Sequence, residues 1–420
     1  MTGSETRRSL ADWLGYIERQ HPQAIALGLD RVAEVFSRLD VRIACPVVTV
    51  GGTNGKGSTC ALLEAILRAA GYRTGLYTSP HLLRYNERVR IAGREADDSA
   101  LCEAFAAVER ARGTVPLTYF EFGSLAAIAL FSAGNLDALI LEVGLGGRLD
   151  AVNVLDADCA VLTSVGIDHT EYLGSTREAI GREKAGIFRS GKPAVAADPS
   201  PPASVLEEAR RIGANLLLIG RDFGYQAQGM QWAYWGPGGK RSGLAHPALR
   251  GAMQLRNASA ALAAADALRE RLPVAMQDLR RGLAEAVLPG RFQVLPGRPQ
   301  VVLDVAHNPE AAAVLAANLG DSGFAPETIA VFGMLKDKDI AGVVRALAPR
   351  ITRWHLATLP GARGADAAQL AGALMAEKIQ TPFFKHPTLA EALAAARGEA
   401  GENDKIVVFG SFLTVAGAYG

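Results

Sequence analysis

Lys56 stands between two glycines in the run VVTVGGTNGKGST (residues 47–59), where a β-rich stretch gives way to a glycine turn, a cation and two hydroxyl residues. Those residue types in that order suit a phosphate. Glycines let backbone N–H groups approach phosphate oxygens, and a helix starting at the turn adds its partial positive charge. Asn54, Gly55 and Gly57 shape the turn, Lys56 can reach the β- and γ-phosphates of a nucleotide, and Ser58 or Thr59 can ligate Mg²⁺. The run departs from the ordinary P-loop pattern. Val50 occupies the place of its first glycine, and Gly57 separates the lysine from Ser58. A carboxylate, Glu142, ends the apolar run ALILEV and precedes GLGGR. At the C-terminal end of a strand beside the phosphate loop it can hold Mg²⁺, in the crevice where such sheets bind ligands. A second run, LTSVGIDHTEYLG (162–174), places Asp168 and His169 in the same way, although a lone histidine after a strand is more often structural than a ligand.

These residues need a scaffold that brings strand ends together. PVVTV (46–50), LDALILEV (136–143), CAVLTSVG (159–166) and PAVAA (193–197) read as buried parallel strands. Residues 58–70 read as a helix, with Gly71 suited to its C′ position. Strand–helix alternation with glycine-rich joints predicts an α/β fold built on a doubly wound, mostly parallel sheet. Residues 220–245 are aromatic and glycine-rich and predict a small antiparallel excursion, and 254–271 predict a helix. The stretch AVLPGRFQVLPGRPQ (286–300) suits a linker. Beyond it a second alternation follows, with strands expected at 301–306, 328–333, 353–359 and 405–410. The expected division is an N-terminal P-loop domain over 1–294 and a smaller Rossmann-like α/β domain over 295–420.

Composition narrows the function classes. With 420 residues and 49% apolar side chains the chain can bury more than one core. Lys and Arg number 44 against 43 Asp and Glu, a net charge of +1, which argues against nucleic acid or a membrane surface as the main partner. Four scattered cysteines without a CxxC pair fit a reducing compartment. The opening residues carry no apolar signal-peptide region, and no run approaches the ~20 apolar residues of a membrane span. The expectation is a cytoplasmic protein that works as a monomer on small-molecule substrates.

GTNGKGST resembles the loop of the Mur ligase superfamily, in particular its folylpolyglutamate synthase branch with the bifunctional dihydrofolate synthases. The resemblance runs from about residue 10 to the C-terminus and is strongest at 51–59, 77–91, 117–127, 138–153, 162–189 and 301–309. It implies that His169 is a metal ligand, that Ser79 lies near a metal and that Lys184, in EKAGI, is carbamylated and helps to hold a second Mg²⁺. It implies that Asn257 reads adenine, that Arg291 contacts ATP phosphates, and that Asp304 and His307 belong to the nucleotide site of the second domain. Segments 26–32, 77–91, 117–127 and 147–153 resemble a pterin site, which gives as substrate-binding candidates Leu27, Gly28, Leu29, Thr78, Ser79, Pro80, His81, Thr118, Tyr119, Phe120, Glu121, Leu149, Asp150 and Ala151. Tyr119, Phe120 and Phe122 can stack on a flat heterocycle, and core packing explains them equally well. Lys336 and Ser411 are candidates for holding glutamate. Where the family often has Thr, this chain has Ser124 and Val152.

The chemistry implied by the resemblance is ATP- and Mg²⁺-dependent ligation of L-glutamate to dihydropteroate or a reduced folate through an acyl phosphate, a step of folate biosynthesis and one-carbon metabolism. Two rival readings are a Mur ligase acting on a peptidoglycan precursor and a P-loop ATPase switch. The pterin-type segments, and the lack of an obvious additional N-terminal UDP-binding domain, weigh against the first. The second needs nucleotide hydrolysis without a carboxylate substrate.

Overall fold

The computed structural model describes residues 8–23 and 25–419. The opening seven residues, on which the expected lack of a leader partly rests, lie outside the described residues. The chain divides into two compact units. One runs to Ala248 and resumes over Leu255–Ala286; the other takes Leu249–Gln254 and the chain from Val287 onward.

The first unit is organised by a sheet of eight strands among the described residues: β1 (Val47–Gly51), β2 (Thr74–Tyr77), β3 (Val89–Ile91), β4 (Arg94–Glu95), β5 (Ala138–Glu142), β6 (Cys159–Leu162), β7 (Pro193–Ala196) and β8 (Asn215–Leu218). Their order is β4-β3-β2-β5-β1-β6-β7-β8. From β2 to β8 the pairing is parallel, and β3 and β4 add an antiparallel edge. Every residue of β1, β5 and β6 is buried, as expected of central parallel strands covered on both faces. The apolar runs seen in the sequence outlast the strands. The sheet stops at Glu142 and Leu162, and the remainder of each run, Val143 and Thr163–Gly166, turns off its C-terminal edge.

The helix Lys56–Ala69 follows β1 after four residues, and Gly71, at φ +92°, stands in the expected C′ place. The antiparallel excursion is a three-stranded sheet of β9 (Gly224–Gln228), β10 (Gln231–Gly236) and β11 (Gly239–Ala245). Its buried Tyr234 donates to Asp266 at 2.8 Å, and Arg241 donates to the same carboxylate at 3.0 Å. These bonds tie the hairpins to the helix Gln254–Ala267.

The second unit is a six-stranded sheet of β12 (Gln293–Leu295), β13 (Gln300–Asp304), β14 (Thr328–Phe332), β15 (Arg353–Ala357), β16 (Phe383–His386) and β17 (Lys405–Phe409), in the order β12-β13-β17-β14-β15-β16. All pairs are parallel except β12 with β13. Phe332 stacks on Phe409 at 4.9 Å with Trp354 edge-on, at the centre of the core. The stretch 286–300, expected to be a linker, contains β12. Its prolines and glycines flank Gln293–Leu295 without interrupting them, so three backbone units remain able to pair as an edge strand. No helix among the described residues is long and apolar enough to cross a membrane.

Candidate active site

The strand order explains how distant segments meet. β1 lies between β5 and β6, so the loop after β1 is flanked by the residues that follow Glu142 and Leu162. Gly52 has φ +145°, and a Cβ there would lie 1.9 Å from the Thr163 hydroxyl. Gly55 has φ +90°, and its Cβ would lie 2.6 Å from the side-chain oxygen of Asn257. Both positions therefore require glycine, for backbone conformation and for space. Asn257 itself is buried against the loop.

Lys56 Nζ donates to the carbonyl oxygens of Gly52 and Thr53 at 3.0 and 3.2 Å. Lys184 Nζ, 5% exposed, donates to the same Gly52 oxygen at 3.0 Å. Two amines thus converge on one carbonyl. Burial, reinforced by the nearby charge of Lys56, brings the Lys184 pKa down to about 7. The helix Arg177–Ala185 that carries Lys184 is held by the turn after β5. Arg148 N donates to Glu183 O at 2.8 Å, and the Arg148 guanidinium grips the Glu183 carboxylate at 2.9 Å. Asn153 Nδ2 joins the two pieces, donating to Arg148 O and Gly186 O at 3.1 and 3.2 Å.

Glu142 is buried at the end of β5 and accepts from Ser79 N at 3.1 Å, which fixes the loop after β2 beside it. Ser58 is buried in the first turn of the helix Lys56–Ala69, and Gly57 and Thr59 beside it are also buried. His169 has a left-handed φ of +52° at the start of the helix Thr170–Leu173, and its N–H donates to Asp168 at 2.8 Å. Among the described residues no group of three or more His, Cys, Asp or Glu side chains is arranged to hold a metal. Mg²⁺ commonly takes one or two carboxylates and fills its remaining positions with phosphate oxygens and water. Buried Glu142 and the Ser58 hydroxyl are hard oxygen donors that fit such a site. The imidazole of His169 is a softer donor than the oxygen ligands that suit Mg²⁺ best.

The pterin-type segments are also tied together. Arg31 donates to Glu121 at 2.7 Å and to Ala26 O at 2.9 Å, which fixes the half-buried segment Leu27, Gly28 and Leu29. The buried Glu121 accepts from Thr118 N at 2.8 Å and so caps the helix Tyr119–Ser132. Its carboxylate is committed to structure. Tyr119 and Phe120 are half-buried, whereas Phe122 is fully buried against Phe105 and belongs to the core. Asp150 is buried, accepts from Leu145 N and Val152 N at 2.8 and 3.1 Å, and has its pKa raised to about 7 by burial. Leu149 is half-buried and Ala151 buried beside it. In the loop after β2, Thr78 N bonds to Arg88 O, Pro80 is exposed, and His81 Nδ1 accepts from Arg88 at 2.8 Å. Burial first, and then the Arg88 charge, lowers the His81 pKa to about 4.

In the second unit, Arg291 lies over the Phe412 ring at 5.7 Å. Asp304 accepts from Phe292 N and Ala306 N at 2.9 and 2.8 Å; burial raises its pKa against the opposing Arg291 charge. His307 Nδ1 lies 2.9 Å from Val305 O. The Ser411 hydroxyl caps the helix Phe412–Ala416 through Thr414 N, and Lys336 is exposed.

Thr163 and Ser164, whose hydroxyls bond to the phosphate loop, were not singled out from the sequence, nor were Arg31 and Arg148. The hydroxyls lie in the run that ends in His169, but their role depends on β6 lying next to β1, which no local pattern reveals.

Residues 50–265 match the Mur ligase middle domain family, and residues 290–412 match the family described as Mur ligase, glutamate ligase domain. The chain is 47% identical over 408 residues to the dihydrofolate synthase/folylpolyglutamate synthase of Escherichia coli strain K12, covering 97% of this chain and 94% of that one. It superposes on E. coli FolC in complex with DHPP and ADP with a TM-score of 0.92 at 46% identity, covering 98% of this chain and 97% of that one. A bifunctional folylpolyglutamate synthase/dihydrofolate synthase with Mn, AMPPNP and L-glutamate bound gives a TM-score of 0.90 at 46% identity, with coverage of 98% and 97%.

Proposed function

The chain belongs to the dihydrofolate synthase/folylpolyglutamate synthase family of Mur ligases, and from that premise we propose that it joins L-glutamate to dihydropteroate, to a reduced folate, or to both. ATP is cleaved to ADP and phosphate in the same cycle. The observation that carries this reading is the glycine loop at the head of the helix Lys56–Ala69, with Lys56, Lys184 and Thr163 converging on it.

The proposed chemistry has two steps. An acceptor carboxylate oxygen attacks the γ-phosphorus of ATP, the β–γ bridging bond breaks, and an acyl phosphate and ADP form. The glutamate amine then attacks the acyl carbon, phosphate leaves with the bonding pair, and the amine gives up a proton to yield the amide. Loop N–H groups and Lys56 neutralise charge on the phosphates, and catalysis is mainly positioning and electrostatics. Ser58, Ser79, Glu142, His169 and Lys184 would hold the divalent metals, two of them in this reading, which would supply charge neutralisation at the phosphates. Lys184 serves as its carbamate. A neutral Nζ attacks CO₂, an N–C bond forms and a proton is released. The lowered pKa supports this, since the neutral amine is then well populated near pH 7.

Asn257 and Asn54 contact the nucleotide on the first unit. In the second unit, Arg291, Asp304 and His307 are the residues for nucleotide, and Lys336 and Ser411 those for glutamate. The pterin is taken by the loops carrying Leu27–Leu29, Thr78–His81, Thr118–Phe120 and Leu149–Ala151, with Glu121 positioning them. The protein works as a cytoplasmic monomer. Incubating it with ATP, Mg²⁺, L-glutamate and either acceptor should give a glutamylated product; no amide with either, but one with a peptidoglycan precursor, would replace this reading by the Mur-type alternative.

A further inference from the structure

We propose that Thr163 and Ser164 are positioning residues for ATP, whose hydroxyls set the orientation of the Thr53–Asn54 backbone and so decide which N–H groups of the loop face the phosphates. This rests on the phosphate-loop reading above and adds residues that neither the sequence pattern nor the comparisons assign.

Asn54 is held on both sides of its backbone. Its N–H donates to Ser164 Oγ at 3.0 Å, and its carbonyl accepts from Thr163 Oγ1 at 2.7 Å and from Ser164 Oγ at 3.1 Å. The residue before it is held from the same strap. Thr53 N donates to Ser164 O at 2.9 Å, and Gly166 N donates to the Thr53 hydroxyl, also at 2.9 Å. The N–H groups of residues 53 and 54 are therefore turned towards the extension of β6, and the backbone N–H groups for phosphate come from Gly55 onward. A loop with glycines at 52, 55 and 57 has wide backbone freedom and does not hold one shape unaided. The strap supplies the rigidity that preorganised donors need. Both hydroxyl residues are only 1% exposed, so water does not readily replace a deleted donor.

The test uses Thr163→Val, which keeps the branched shape and removes the donor. From the worth of one buried hydrogen bond, KM for ATP should rise about five- to tenfold, while KM for dihydropteroate and for glutamate changes by less than about twofold. Thr163→Ser should restore KM for ATP, and Ser164→Ala should raise it in the same way. A folded Thr163→Val protein with wild-type KM for ATP, or one whose three KM values rise together, would overturn the assignment. Should Thr163→Val not fold, Ser164→Ala decides alone, and an unchanged KM for ATP overturns it. Lys56→Ala in the same assay separates the two ideas. Full ADP formation by that variant sinks the phosphate-loop reading itself, whereas an inactive Lys56→Ala beside an unaffected Thr163→Val sinks only the strap.

Discussion

Lys56 and Lys184 share the Gly52 carbonyl, yet their environments differ. Lys56 is half-buried at the head of a helix, where a phosphate can reach it; Lys184 is buried behind the loop. Two ammonium groups on one oxygen repel, and burial makes Lys184 the one that gives up its proton. Lys56→Ala should therefore abolish ADP formation without unfolding the protein, as judged by thermal melting; a folded variant with normal turnover contradicts the assignment. Lys184→Ala should lose most activity and regain part of it with a small added carboxylate. Lys184→Arg should be inactive, because a guanidinium keeps its charge and forms no carbamate. Carbon NMR with labelled bicarbonate reads the adduct directly. A carbamate signal is expected in the wild type and not in Lys184→Ala, and a fully active enzyme without the signal rules the carbamate out.

At the scale of elements, Gly52 shows what the strand order demands. Gly52→Ala would place a methyl group on the Thr163 hydroxyl in a conformation that alanine resists, so nucleotide binding measured by calorimetry should be lost. Wild-type affinity would show that the loop can rearrange. In the second unit, β15, β16 and the helix Leu389–Glu399 enclose His355. Its Nδ1 lies 3.0 Å from His386 Nε2, its Nε2 lies 3.5 Å from Glu399, and Arg353 holds that carboxylate at 2.7 Å. Burial keeps the His355 pKa below its ordinary value. The unfolded chain then binds the proton more readily, so the stabilisation is present above about pH 6.5 and is lost as pH falls below it. Urea unfolding should show stability dropping between neutral pH and mildly acidic pH, and His355→Phe, which keeps an aromatic ring against Phe384, should flatten that slope. Equal slopes in the two proteins would remove His355 as the cause. The strands themselves were legible in the sequence because β1, β5 and β6 are short apolar runs with no competing helical period. Their ends were not, since Thr163–Gly166 follows the apolar run directly although those residues have left the sheet to brace a loop more than 100 positions earlier in the chain.

For the whole molecule, the two α/β alternations and the change of texture near 220–245 were readable from residue order, and the phosphate loop from its glycines and lysine. The roles proposed for Lys184, Asn257 and Arg291 were not readable that way. Each is an ordinary residue within or beside a helical or proline-rich stretch, and only resemblance singled it out. Burial then gives Lys184 a physical reason to act, through a contact with Gly52 separated by 132 positions in sequence. Phe122 shows the opposite case, an aromatic in a substrate-like segment that packing claims for the core. Whether ATP cleavage here serves amide formation is read from ADP release by the purified protein with each substrate omitted in turn. Sustained ADP release is expected only when ATP, Mg²⁺, L-glutamate and a pteroate or folate acceptor are all present, with one ADP formed for each glutamate added. The same steady rate of ADP release without glutamate and acceptor would contradict that expectation, and would make this chain a nucleotide hydrolase rather than a ligase.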